Sequence, residues 1–175
     1  EILSDAAAPY RDYGKVLIFS AAPTEGATGE ATTEPVGSCQ PGLFYGLGNI
    51  IENAVDFAND NVELTARWDA SKVVIEVADD GPGFPIDLMD SLGDPYVTTR
   101  GATSGKAAKE ASGLGLGFFI AKTLLERSGA VIELENRVAP ETGARVRMTW
   151  PRSAFSAPEG WSPHQIAQSP AAAAE

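Results

Sequence analysis

The chain is poor in the residues that most often carry covalent and metal chemistry: its 175 residues include one cysteine, Cys39, and one histidine, His164. A single thiol excludes an internal disulfide and a thiolate zinc cluster, and nothing near Cys39 in the sequence activates it, so it reads as a free thiol in a loop. Basic residues are also scarce, 13 against 24 acidic ones, for a formal net charge of −11. That balance argues against an extended footprint for nucleic acid or an anionic membrane, so any phosphate recognition must be local. No run approaches the roughly 20 apolar residues of a membrane span, and the acidic N-terminus lacks the basic and apolar regions of a signal peptide. The expectation is a soluble, cytoplasmic piece; because it begins at Glu1 without Met, it is expected to be an excised part of something larger.

What is present suffices for one core. With 43% hydrophobic residues the composition supports a single domain over residues 1–150, followed by a Pro-, Ser- and Ala-rich tail over 151–175 that reads as disordered. A helix end is expected near residues 4–8, closed by Pro9, then a strand over 15–20 and a long Pro- and Gly-rich loop over 21–42. So long a loop is either a mobile insertion or hides a short strand near Pro35 and Val36. A helix over 43–58 follows. Alternating apolar residues then predict strands over 62–68 and 73–77, paired as a hairpin with one buried side. Residues 84–112 show no sustained apolar period and are nearly all small or charged from Gly101 to Ser112, as in a flexible lid. A helix over 118–128, stopped by Gly129, and strands over 130–136 and 145–150 complete the core. The order implies a two-layer α/β sandwich, a mixed sheet with helices on one face, rather than a doubly wound fold.

Three clusters stand out. On the helix at 43–58, Asn49, Glu52, Asn53 and Asp56 gather on one face, with Leu43, Leu47, Ile50, Ile51, Ala54 and Ala58 opposite. Asn is a mediocre helix former, so two of them one turn apart suit a ligand or an ion, while a half-exposed polar stripe gives the same pattern. Asp79-Asp80-Gly81-Pro82-Gly83 ends a strand with an acid beside a turn whose glycines let backbone approach a ligand. Gly113-Leu114-Gly115-Leu116-Gly117 opens a helix, where free N–H groups and the helix dipole favour an anion. Two nucleotide signatures fail. Gly101 to Ala107 lacks one residue of a Walker A loop and has Ala107 where the metal-binding hydroxyl belongs, and Gly113 to Phe118 lacks the last glycine of the dinucleotide pattern.

The three clusters in this order, with a lid between the last two, resemble the ATP-binding domain of sensor histidine kinases. That domain shares the Bergerat fold with heat-shock chaperone ATPases, type II topoisomerases and mismatch-repair ATPases, together the GHKL superfamily. The resemblance covers residues 15–150. The phrases Gly48-Asn49-Ile50-Ile51-Glu52-Asn53-Ala54-Val55-Asp56-Phe57-Ala58 and Pro95-Tyr96-Val97-Thr98-Thr99-Arg100 look most like the RegB/PrrB/ActS redox-responsive sensors.

The resemblance implies ATP and Mg²⁺ as cofactors. By it, Asn53 is the Mg²⁺ ligand and Asn49 helps hold metal and phosphates. Asp79 accepts a hydrogen bond from the adenine amino group, with Gly81 and Gly83 letting the base lie close to backbone. The stretch Gly113, Leu114, Gly115, Leu116 and Gly117 offers backbone N–H groups to the phosphates, and Arg100 reaches them from the lid, ahead of the weaker candidates Lys106 and Lys109. Departures from the wider pattern are Asp56, where many of these kinases carry a cation, Gly93 in place of the first F-box Phe, and Tyr96 in place of the second.

Asn49 stands where the hydrolysing relatives keep a Glu that activates water. A carboxamide is no general base at neutral pH, which favours phosphate transfer over hydrolysis. The acceptor histidine is expected on a separate dimerisation domain, because His164 between Pro163 and Gln165 lacks a helical, acidic setting. No catalytic residue is therefore assigned within the chain. The implied partners are that dimerisation domain, in a homodimer, and a response regulator, with the full-length protein anchored in the inner membrane by regions outside this chain. Competing expectations are an ATP-hydrolysing domain and a degenerate module that only senses nucleotide or docks a regulator.

Overall fold

The computed structural model describes residues 1–36, 40–86 and 116–155. Five strands form one sheet: β1 (Val16–Pro23), β2 (Asn61–Trp68), β3 (Lys72–Asp79), β4 (Val131–Asn136) and β5 (Ala144–Pro151), in the spatial order β1-β2-β3-β5-β4. β1 runs parallel to β2 and the other pairs are antiparallel. The parallel pair is joined through α2 (Pro41–Phe57), as a crossover between parallel strands requires. The remaining helices are α1 (Ile2–Ala7) and α3 (Leu116–Arg127).

Alternation within the strands makes two unlike faces. Val62, Leu64 and Trp68 of β2, Val73, Ile75 and Val77 of β3, and Val146, Met148 and Trp150 of β5 are buried; all but Trp68 and Val73 belong to one core cluster with Leu43, Leu47, Ile50, Ile51, Ala54 and Val55 of α2. Leu125 and Ala121 of α3 complete it. The registers align Leu64 with Val77 and Val77 with Val146, so the buried positions lie side by side across three strands. The opposite face carries ion pairs, Arg147 with Glu76, Arg145 with Glu135 and Arg137 with Glu63. The more exposed Arg147–Glu76 and Arg145–Glu135 pairs contribute only about 0–1 kcal/mol each, whereas truncating one core side chain such as Leu47 to Ala costs about 2–5 kcal/mol. The helix layer holds the fold, as the expected α/β sandwich requires.

Element boundaries differ from expectation where backbone partners decide them. β1 continues to Pro23, because its register on β2 runs on to Trp68 and the Thr24 N–H donates to the Trp68 carbonyl. Proline is tolerated there at the end of an edge strand. α2 starts at Pro41, two residues early, with Pro at the first helical position, where its missing N–H has no cost. α3 likewise starts at Leu116 rather than Phe118 and ends before Gly129, whose φ of +95° closes it. The loop before α2 forms no strand at Pro35 and Val36 but a 3-10 turn over Gly29–Thr32. Trp68 Nε1 donates to the Thr32 carbonyl, and Arg152 Nη2 to that of Thr33. The core also extends past Trp150: a 3-10 turn over Arg152–Phe155 sets the Phe155 ring edge-on to Trp150, centroids 5.6 Å apart. The tail from residue 156, the lid from residue 87 to 112 and Cys39 lie outside the described residues.

Candidate functional site

Asp79 is the one charged residue in the described core, 4% exposed at the end of β3. It shares the parity of Val73, Ile75 and Val77, so its side chain turns to the helix-bearing side. Both hydrogen bonds that hold it fall on Oδ1, from Gly81 N at 2.8 Å and Ala144 N at 3.2 Å. Burial pushes its carboxyl above the ordinary aspartate value; the two N–H donors and Arg137 pull the other way, and Asp80 adds to the rise.

Asp80, one residue on, has turned outward. Its Oδ1 accepts from the N–H of Asn59 and Asp60 and its Oδ2 from the N–H and side-chain amide of Asn61, at 2.8–3.0 Å. Desolvation opposes ionisation, but the donors of Asp60, Asn61 and Asn59 outweigh it and hold the carboxyl at about 2. The Asn59-Asp60-Asn61 turn that leaves α2 for β2 is thus fastened to the end of β3.

The turn after Asp79 has no room for a side chain at Gly81 or Gly83. A Cβ on Gly81 would collide with the Phe57 carbonyl, the last residue of α2, and one on Gly83 would lie 2.6 Å from Asn136 Oδ1. Gly83 also has φ +80°, a conformation that suits glycine. The loop joining β4 to β5 grips this turn from the other side. Asn136 Nδ2 donates to the Phe84 carbonyl at 2.9 Å and its Oδ1 accepts from the Phe84 N–H at 2.6 Å. Arg137 Nη1 donates to the Asp79 carbonyl at 3.3 Å and Thr142 Oγ1 to that of Asp80 at 3.2 Å. Gly143, at φ +110°, packs so closely on Asp79 that a Cβ would strike its carbonyl. Asn136, Arg137, Gly143 and Ala144 escaped the sequence reading. Their partners are 52 to 65 residues away, and the only local signal was the turn-forming Gly143.

On α2, the two asparagines are oriented by their own helix. Asn49 Nδ2 donates to the Tyr45 carbonyl at 2.9 Å and Asn53 Nδ2 to the Asn49 carbonyl at 2.7 Å. Both carboxamide nitrogens are thus turned back along the helix. A Cβ on Gly117 would sit 3.6 Å from Asn49 Oδ1, so the start of α3 faces this wall. Among the described residues no group of three His, Cys, Asp or Glu side chains could hold a metal alone. Any cation here would take neutral amide oxygens and ligands that arrive with a substrate, which suits a hard ion that keeps much of its water.

Of the sequence-predicted residues, the structure thus brings Asn49, Asn53, Asp79, Gly81, Gly83 and Gly117 around the C-terminal half of α2 and the end of β3. Leu116 begins α3. Arg100, Gly113, Leu114 and Gly115 lie outside the described residues, as do Gly93, Tyr96 and His164. Asp56 is exposed on α2, in the field that acts on Tyr10.

Residues 40–154 match the family described as histidine kinase-, DNA gyrase B- and HSP90-like ATPase. Among curated proteins, sensor histidine kinase RegB of Cereibacter sphaeroides is 37% identical over 161 residues, covering 86% of this chain and 34% of that protein. Sensor histidine kinase GtrS of Pseudomonas aeruginosa is 27% identical over 151 residues, covering 86% of this chain and 28% of that protein. The chain spans about a third of the length of these curated relatives. Among solved structures, the mycobacterial sensor histidine kinase MprB superposes with a TM-score of 0.62 at 17% identity, covering 86% of this chain and 91% of that one. The nucleotide-free catalytic domain of histidine kinase ThkA superposes with a TM-score of 0.61 at 20% identity, covering 90% and 93%. Similarity at that level carries the fold, and the fold agrees with the sandwich described above. By its motifs, its sheet and the match over residues 40–154, the chain belongs to the histidine kinase-, DNA gyrase B- and HSP90-like ATPase family.

Proposed function

We propose that this chain is the ATP-binding catalytic domain of a two-component sensor histidine kinase, which passes the γ-phosphate of ATP to a histidine on a separate dimerisation domain. The observation that carries the reading is Asp79. It is a buried carboxylate at a strand end beside Gly81 and Gly83, and among the described residues it has two N–H donors on Oδ1 and none on Oδ2. Oδ2 is left open to a donor from a ligand, and the exocyclic amino group of adenine supplies one. Gly81 and Gly83 then let the base lie against backbone.

The phosphates run from there along α2 to the start of α3. Asn53 and Asn49 offer carboxamide oxygens to Mg²⁺, and Gly113, Leu114, Gly115, Leu116 and Gly117 offer N–H groups to the phosphates, with Arg100 as the cation of the lid. When bound, Mg²⁺ supplies charge neutralisation for the transferring phosphoryl group. The protein's share is positioning: it fixes the base at Asp79 and leaves the γ-phosphate exposed to an incoming imidazole. Asn49 cannot take a proton from water, so the site favours transfer over hydrolysis. The partners are the dimerisation domain of the full-length kinase, working as a homodimer, and a response regulator.

The test mixes this chain with labelled Mg²⁺-ATP and the isolated dimerisation domain of the same full-length protein. Acid-labile phosphohistidine on that domain supports the kinase. Phosphate release without it assigns the chain to the hydrolysing relatives, and saturable ATP binding with neither product leaves a nucleotide-sensing module.

A further inference from the structure

Asn136 is the last residue of β4 and shares the parity of Ile132 and Leu134, which turns its side chain towards the helix-bearing side of the sheet. Its carboxamide pairs with both main-chain groups of Phe84, as a neighbouring strand would. Among protein side chains only Asn and Gln combine a donor and an acceptor in this way, and Asn has the shorter reach. Phe84 in turn packs its ring against the core. The four-residue turn Gly81 to Phe84 is therefore fastened at two points, Gly81 N–H on Asp79 Oδ1 and Phe84 on Asn136. Among the described residues nothing else hydrogen-bonds Pro82 or Gly83. Gly83 itself lies against Asn136 Oδ1, so the carboxamide sets both the height and the tilt of the turn.

We propose that Asn136 is a positioning residue of the nucleotide pocket: it touches no nucleotide, but by fixing Phe84 it fixes the Gly81–Gly83 backbone against which the base is held. The inference rests on the adenine-nucleotide reading above. A position set from β4 has a consequence that distinguishes it from a phosphate contact. Loosening it weakens the base contact, so ATP and ADP, which share that base, lose affinity by the same factor, and the ATP-to-ADP ratio stays fixed.

The experiment measures ATP and ADP dissociation constants and thermal midpoints for the chain and for Asn136→Ala, Asn136→Asp and Asn136→Ser, well below each midpoint. The control is Ser128→Ala, which removes the Trp150 Nε1 hydrogen bond far from the turn. We expect about a tenfold loss of affinity for both nucleotides in Asn136→Ala. Asn136→Asp, which keeps an acceptor but sets a carboxylate on the Phe84 carbonyl, is expected to lose at least as much. Ser128→Ala should lower the midpoint and leave both constants unchanged. Wild-type affinity in folded Asn136 variants would overturn the proposal and leave the function intact. So would a loss confined to ATP. Should Asn136→Ala not fold, Asn136→Ser, which keeps a hydroxyl near Phe84, decides by the same criteria. Failure of the unmodified chain to bind either nucleotide would instead overturn the functional reading, and this proposal with it.

Discussion

Asp79 and Asp80 are covalent neighbours with opposite protonation preferences. Burial raises the Asp79 carboxyl, while a ring of donors from residues 59–61 holds that of Asp80 at about 2. The cause is strand parity: Asp79 follows Val77 into the helix-bearing side, and Asp80 turns to tie the α2–β2 turn to the end of β3. One acid is placed for a ligand and the other for the fold.

Exchanging each for its amide separates the two roles. Asp80→Asn replaces one of two acceptor oxygens with a donor that faces N–H groups, and should lower unfolding stability by about 1–3 kcal/mol in a denaturant titration. Asp79→Asn keeps an oxygen for Gly81 and Ala144 but turns an NH₂ into the pocket. It should retain stability and lose at least tenfold in ATP affinity. Comparable ATP binding in Asp79→Asn would remove the base contact from the account.

Acid titration reads the same pair through linkage. Asp80 has a depressed pKa in the folded state, so its contribution is present above the unfolded value near 4 and is lost as pH falls towards about 2. The stability gap between the chain and Asp80→Asn should therefore close over that interval. Asp79 has the opposite sign. Its raised pKa means that ionisation costs stability at neutral pH, and the cost is relieved as pH falls through the raised value. ATP uses the ionised form, so affinity should fall with pH in the chain and stay flatter in Asp79→Asn.

The fold was legible where one element declares itself. The apolar period of α2, the alternation in β2, β3 and β5, and Gly129 after α3 are local signals, and the elements they predict are present. The start of α2 was missed by two residues because Pro41 can open a helix without a capping side chain, and a sequence shows that only weakly. Within the site, the asparagine pair and the Asp79 to Gly83 turn were visible as spacing on one element. The shell behind them was not, because Asn136, Arg137 and Ala144 act on residues 52 to 65 positions away, a distance fixed by the insertion of α3 and β4. Nor does sequence separate the roles of Asp79 and Asp80, which depend on which donors the turn brings within reach.

The asparagine wall predicts a metal effect. Asn53→Ala should abolish the Mg²⁺ dependence of ATP-induced thermal stabilisation while leaving the weaker, metal-free component. An unchanged Mg²⁺ response would show that the cation is held elsewhere.

The close backbone contacts predict which glycines are irreplaceable. Gly143→Ala meets the Asp79 carbonyl and forces a side chain into φ +110°, and Gly81→Ala meets the Phe57 carbonyl. Each should destabilise by about 1–3 kcal/mol or more, against a small effect for Gly48→Ala, where nothing lies within 4 Å of the added Cβ.

The most direct measurement is an NMR titration of the chain with Mg²⁺-ATP. The account predicts saturable shifts of the Asn49 and Asn53 side-chain amides and of the Gly81 and Gly83 backbone amides, with Glu76 and Arg147 on the far face unmoved. Saturation by ATP with the Asn53 and Gly81 resonances unshifted would contradict it.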